Sequence, residues 1–215
     1  MTARRVVAGE QVDVWLDALA SDAVEPGGGA FAALSAAAGA ALVGTVARRT
    51  MRRPGHEDVA PRMQVIVEEA DAARPVLLAL ADRDAEAFRA TMDAYRILQE
   101  GEGDRTQQLH ALQEALEESV DVQLDLARRS AYLLGLAEEA TVAGDPNAAA
   151  DALSAAAALH AATAAAVANA EINAFAIADE ERRAELTETC AALRERATML
   201  LDQVQRAFRG RIEVV

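Results

Sequence analysis

Lysine is absent from this 215-residue chain, so its 21 basic side chains are all arginines, set against 35 acidic ones for a formal net charge of −14. The missing lysine excludes Schiff-base chemistry and a P-loop. The acidic balance argues against nucleic acid as a partner, because a polyanion binder needs a positive field. Cysteine occurs once, at Cys190, which excludes an intramolecular disulfide and fits a reducing compartment; a cytoplasmic location is expected. Aromatic residues contribute only 3% of a chain that is 52% hydrophobic and dominated by alanine and leucine. A core with so few rings and β-branched runs forms by close approach of helices. The expected fold is therefore all-α, a single-domain helical bundle over residues 1–215. Strand-like alternation, zinc spacing, a nucleophile elbow and internal repeats are all lacking. After Arg4 and Arg5 too few apolar residues precede Glu10 and Asp13 to make a signal peptide.

What is present begins with Glu25-Pro26-Gly27-Gly28-Gly29-Ala30, followed by a stretch without charge as far as Ala47. Alanine drives membrane insertion weakly and the flanks carry no aromatic belt, so this stretch reads as a buried central helix rather than a membrane span. Helical periodicity predicts a short amphipathic helix over Val12 to Ala20, with Val14, Leu16, Leu19 and Ala20 as its apolar stripe. A second helix covers Ala30 to Thr50. A third runs from about Pro61 to Leu98 with a break expected near Pro75, which lacks the donor an interior position needs. Beyond the polar loop Gly101-Glu102-Gly103-Asp104, leucine spacing predicts a long helix to about Ala143. Gly144-Asp145-Pro146 then offers a C′ glycine, an N-cap and a first-turn proline in succession. An alanine-rich helix from about Asn147 to Ile177 and a charged amphipathic one over Asp179 to Phe208 complete the chain, and the last residues are expected to fray. The two alanine-rich helices are expected in the interior, where small side chains permit close backbone approach.

Several residues in this frame can carry chemistry. Three glycines at a helix start expose amide donors at the positive end of the dipole, which suits an anionic or carbonyl-bearing ligand; the same residues also serve simply to end one helix and begin another. Asp84 shares a helix face with Phe88, Met92 and Tyr95, and burial beside apolar groups pushes a carboxyl toward its protonated form, although a solvated acid near Arg83 has the same pattern. Asp82 points to a nearly opposite face. Asp145 has a full explanation as an N-cap, whereas Asp151, at the edge of the uncharged stretch Ala152 to Ala170, either caps a first turn or faces a cavity. Asn169 and Asn173, four apart on one face, can read the edge of a heterocycle or bond neighbouring helices. Arg48, Arg49, Arg52 and Arg53 complement a helix C-terminus or hold a ligand carboxylate such as a glutamyl tail. His56, His110 and His160 show no ligand spacing, and no metal is assigned.

Taken in order, Pro26-Gly27-Gly28-Gly29 before an alanine-rich helix, Asp84-Ala85-Glu86-Ala87-Phe88, Gly144-Asp145-Pro146-Asn147 leading to Asp151-Ala152, and Asn169-Ala170-Glu171-Ile172-Asn173 resemble the cyclodeaminase/cyclohydrolase family. The resemblance extends from about Val12 to Phe208. That family includes the cyclodeaminase half of formimidoyltransferase-cyclodeaminase and the stand-alone bacterial methenyltetrahydrofolate cyclohydrolases. The resemblance implies an all-helical homodimer, a folate site near the glycine-rich turn and Asp84 as proton donor, with Pro26, Gly27, Gly28, Gly29, Asp151, Asn169 and Asn173 lining the pocket. In cyclodeamination N10 of formimidoyltetrahydrofolate attacks the formimino carbon and ammonia departs, so an acid must protonate the leaving amine. In the cyclohydrolase reaction water adds to the cationic methenyl carbon and one C–N bond opens. Neither route implies a metal or a prosthetic group; a tetrahydrofolate derivative is the expected small-molecule substrate. No formimidoyltransferase domain is attached, which favours the cyclohydrolase. The chain departs from the family's usual serines at Ala30 and Ala150, from its Gly-Asn at Gly144-Asp145, and from its Leu-Pro-Lys at Ile97-Leu98-Gln99. Two rival readings stand beside this one: the same pocket used on a non-folate substrate, and a non-catalytic helical dimer that binds a ligand or partner.

Overall fold

Small residues decide this architecture. The computed structural model describes residues 11–212, whose regular structure consists of α1 (Val12–Leu19), α2 (Gly28–Met51), α3 (Ala60–Glu100), α4 (Arg105–Ala143), a short 3-10 turn (Pro146–Ala148), α5 (Ala149–Phe175) and α6 (Glu180–Ile212). No strand occurs among the described residues. The expectations about Arg4, Arg5 and the C-terminal residues beyond 212 lie outside them. Helices α2 and α5 pack side by side in opposite directions, since Gly28 meets Asn169, Gly39 meets Leu159 and Arg49 meets Asp151. A Cβ placed on Gly39 would lie 2.6 Å from Leu159 Cγ and 3.2 Å from the Ala155 carbonyl, so the glycine is what allows the approach. Ala32, Ala33, Ala36 and Ala40 of α2 and Ala155, Ala156, Ala162 and Ala166 of α5 are fully buried. Both helices are long and apolar enough to cross a membrane by length and composition, but 61% of the apolar window of α2 is buried inside the protein itself.

The two longest helices, α3 and α4, form the other half of the bundle, joined through Gly101 in the left-handed region (φ 72°) and Asp104, whose side chain accepts from the Thr106 and Gln107 amides. Helix α6 lies against α4 and α5. One main apolar cluster runs from Trp15 to Val204 and draws on every α-helix.

Two local expectations are corrected. Helix α3 is not broken at Pro75: the helix is continuous from Ala60 to Glu100, and Pro75 sits on its exposed side, where the carbonyl of Asp71 that loses its donor can bond water. Gly144, which ends α4, has extended backbone (φ −84°, ψ −176°), and its small size matters there, because a Cβ would fall 2.1 Å from the Ala140 carbonyl. In α1 the stripe is also different. Trp15 is buried, with Ala18 and Leu19 half-buried beside it, while Val14 and Leu16 face outward, since the indole removes the largest apolar area from water.

Candidate active site

The turn before α2 carries Glu25, Pro26 and Gly27, and α2 starts on Gly28 and Gly29 with extended backbone at Gly27 and no side-chain cap. Its first-turn amides therefore face outward with the positive end of the helix dipole. Directly opposite stands Asp84, from the middle of α3. A Cβ on Gly29 would lie 2.1 Å from Asp84 Oδ2 and 2.5 Å from its Cγ, so only glycine lets the carboxyl rest against this helix end. From α4, Gln123 Nε2 donates a short hydrogen bond to Asp84 Oδ1. From the C-terminal part of α5 come Asn169 and Asn173, with Asn169 Nδ2 donating to the Ala165 carbonyl at 2.8 Å. A Cβ on Gly28 would sit 3.1 Å from that same nitrogen.

These groups surround a cleft of about 330 Å³, at the lower end of the ~300–1,000 Å³ range of small-molecule pockets. Phe88, Met92 and Tyr95 line its apolar side, as the helix-face reading of α3 anticipated. Thr91 and Ser119 join it where α3 meets α4, bonded hydroxyl to hydroxyl at 2.9 Å. Glu25 lies at the rim and pairs with Arg89 at 3.0 Å.

Burial raises the Asp84 carboxyl above its ordinary value of 3.8; the hydrogen bond from Gln123 opposes that shift and the negative charge of Glu25 adds to it. The cleft thus contains a carboxyl biased toward its proton, next to an uncapped helix N-terminus and two amides. Such a set can present a proton to a leaving nitrogen while amide groups hold a polar ring.

Of the residues singled out from sequence, Pro26, Gly27, Gly28, Gly29, Asp84, Asn169 and Asn173 all line this cleft. Asp151 is not brought to it. It lies at the other end of α2, bonded to Arg49 at 2.7 Å. The neighbouring Arg48 and Arg53 are committed there too, Arg48 to Asp71 and Arg53 to Asp145, about 30 Å along α2 from Gly28, and none of the cluster's four arginines lines the cleft. Asp145 also caps the Asn147 amide at 2.9 Å, as an N-cap should. His56, His110 and His160 do not line the cleft, and no group of three His, Cys, Asp or Glu side chains with metal-site geometry occurs among the described residues. Sequence reasoning missed Gln123, Ser119 and Thr91. A signal existed: Ser119 and Gln123 are one turn apart on α4, interleaved with the apolar positions Leu116, Val120 and Leu124.

An acid held in an amide-lined cleft of a helical bundle has the chemistry to move a proton at a carbon–nitrogen bond. The chain belongs to the formiminotransferase-cyclodeaminase family, whose sequence model matches residues 11–192. It is 33% identical over 181 residues to a methenyltetrahydrofolate cyclohydrolase of Methylorubrum extorquens, covering 82% of this chain and 87% of that one. It is 30% identical over 189 residues to the formimidoyltransferase-cyclodeaminase of Sus scrofa, covering 86% of this chain but 35% of that longer protein. Among solved structures, a formiminotetrahydrofolate cyclodeaminase of Thermotoga maritima superposes with a TM-score of 0.85 at 31% identity, over 95% of this chain and 98% of that one.

Proposed function

We propose that this protein opens or closes a carbon–nitrogen bond of a cyclic amidine in a tetrahydrofolate derivative, as a methenyltetrahydrofolate cyclohydrolase or formimidoyltetrahydrofolate cyclodeaminase, with Asp84 as the proton donor. The observation that carries this reading is the placement of Asp84: half-buried, raised in pKa by that burial, and set against the N-terminus of α2. Protonated, Asp84 delivers its proton to the departing nitrogen; ionised, it stands beside the cationic methenyl carbon and takes a proton from the incoming water. The amides of Gly28 and Gly29 bind a ring carbonyl, Asn169 and Asn173 bind the heterocycle edge, and Phe88, Met92 and Tyr95 cover its face. Similarity along 87% of the Methylorubrum cyclohydrolase and 98% of the Thermotoga cyclodeaminase supports the two reactions alike.

A second reading has its own observation. No arginine lines the cleft, so nothing within it grips the carboxylates of a glutamyl tail. A pterin-like or other cyclic amidine without that tail fits the same lining. The protein is further proposed to be a cytoplasmic homodimer that needs no metal or prosthetic group and binds neither nucleic acid nor membrane. Exposed apolar residues on the alanine-rich pair, Phe31 on α2 and Ile172 (73%) and Phe175 (85%) on α5, support the dimer as a surface that a second copy would cover.

The purified protein is to be given methenyltetrahydrofolate, formimidoyltetrahydrofolate and a tailless methenyl-pterin analogue. Loss of methenyl absorbance above the buffer rate is expected for the first, and ammonia release from the second if the deaminase reaction is carried out. No acceleration with any of the three would remove the assignment.

A further inference from the structure

Beyond the unpartnered ring nitrogens of Trp15 and His56, which do not line the cleft, Gln123 stands apart from the other buried polar side chains among the described residues. The others are hydroxyls: Thr50, Thr91, Ser130, Thr141 and Thr163 each donate to the carbonyl four residues back in their own helix, and Ser119 bonds Thr91. A hydroxyl satisfied in that way costs a helix little. Gln123 is a full carboxamide with 1% of its surface exposed, on a face of α4 otherwise built from Leu116, Val120 and Leu124. Its Oε1 has no partner. Packing alone would favour leucine or methionine at this position, because an orphaned buried acceptor is a net loss.

The other half of the amide explains the choice. Nε2 donates to Asp84 Oδ1, and the same nitrogen lies 2.6 Å from where a Gly29 Cβ would be. Three segments, the start of α2, the middle of α3 and the middle of α4, therefore meet at one carboxyl group. We propose that Gln123 is the positioning residue for Asp84, fixing Oδ1 against α4 and so turning Oδ2 toward the N-terminus of α2, where the ligand is handled. A carboxamide suits an acid that must change protonation state. It donates through Nε2 to the carboxylate and, after rotation, accepts through Oε1 from the carboxylic acid. The unpartnered Oε1 is the acceptor held in reserve for the second state. Glu25, with Arg89 beside it, is the other charged group lining the Asp84 cleft, so the hydrogen bond from Gln123 is the neutral contact that opposes the effect of burial on the acid.

This inference rests on Asp84 being the proton donor, and the experiment separates the two. The carboxyl carbon of Asp84 is followed by 13C NMR across pH, assigned with Asp84→Asn, in the wild-type chain and in Gln123→Met and Gln123→Glu; kcat/KM for methenyltetrahydrofolate is measured over the same pH range. Gln123→Met is expected to fold with unchanged or higher thermal stability and to raise the Asp84 midpoint by about one pH unit, since the donor to the carboxylate is gone. The limb of the kcat/KM profile that reports Asp84 moves with it. An unmoved midpoint in folded Gln123→Met overturns the proposal. Should that variant fail to fold, Gln123→Glu reads the same contact: a two-step titration shared by the two carboxyls supports it, and a single unchanged step overturns it. A midpoint that moves while the rate profile stays fixed upholds the Gln123–Asp84 link and removes Asp84 from the proton-donor role.

Discussion

Replacing Gly29 by alanine tests how closely Asp84 must approach the start of α2. The new methyl carbon would stand 2.1 Å from Asp84 Oδ2, 2.5 Å from Cγ and 2.6 Å from Gln123 Nε2, where ordinary contact begins near 3.4 Å. Relief requires the carboxyl to retreat by about 1.3 Å, and displacements of this size at a reacting group cost on the order of 100-fold in rate. The stability effect is smaller, because alanine is better than glycine inside a helix by roughly 0.5–1 kcal/mol, which offsets part of the ~1–3 kcal/mol of overpacking. For a chain of this length the melting temperature should fall by no more than about 10 °C. Gly28→Ala is the comparison variant: its Cβ would meet the Asn169 carboxamide, at 3.1 Å from Nδ2, and leave Asp84 in place, so its effect should fall on KM rather than kcat. The assay is methenyltetrahydrofolate hydrolysis alongside thermal denaturation for both variants. A Gly29→Ala protein with full activity would refute the claim that the carboxyl must rest against this helix end.

Other outcomes follow from the same geometry. Asp84→Asn should be more stable than the wild-type chain at neutral pH. The folded-state pKa of Asp84 lies above its unfolded value, so the folded chain holds a proton that the unfolded chain has released, and stability falls as pH rises through the window above 3.8; thermal melts at pH 7 and below pH 3.8 should show the variant's advantage at the first and its loss at the second. Asp151→Asn should leave turnover unchanged and cost at most about 1 kcal/mol in denaturant unfolding, because it breaks a half-exposed pair with Arg49 far from the cleft. Asn173→Ala should raise KM for the folate at least several-fold with a smaller effect on kcat, as expected of a group that binds the ring rather than moves the proton; an unchanged KM would take Asn173 out of the site. Phe175→Glu should convert a dimer to a monomer in analytical ultracentrifugation, and a dimer that persists would place the subunit contact elsewhere.

Much of this fold was legible in the sequence because its rules are local. Alanine content marked α2 and α5 as interior helices, the polar loop ending at Asp104 marked the start of α4, and Asp145 was legible as a cap. The failures were tertiary. Whether Pro75 breaks a helix depends on which side meets solvent, and whether Trp15 or Leu16 turns inward depends on what lies beneath α1. In the site, Pro26 to Gly29, Asp84, Asn169 and Asn173 were placed together by resemblance, and the cleft contains them all. Asp151 was misplaced for a geometric reason: α2 and α5 run in opposite directions, so the start of one helix lies beside the end of the other, and an acid at the N-terminus of α5 meets Arg49 rather than Gly28. Gln123 escaped notice because an amide within a leucine stripe announces a partner without saying which helix supplies it.

The central claim is that the Asp84 carboxyl supplies the proton in a folate carbon–nitrogen reaction. Its most direct test is to measure, side by side, methenyltetrahydrofolate binding and the decay of its absorbance with the wild-type protein and with Asp84→Asn. The account predicts that the variant binds with near-normal affinity and hydrolyses no faster than buffer, whereas a variant that hydrolyses at the wild-type rate would contradict it.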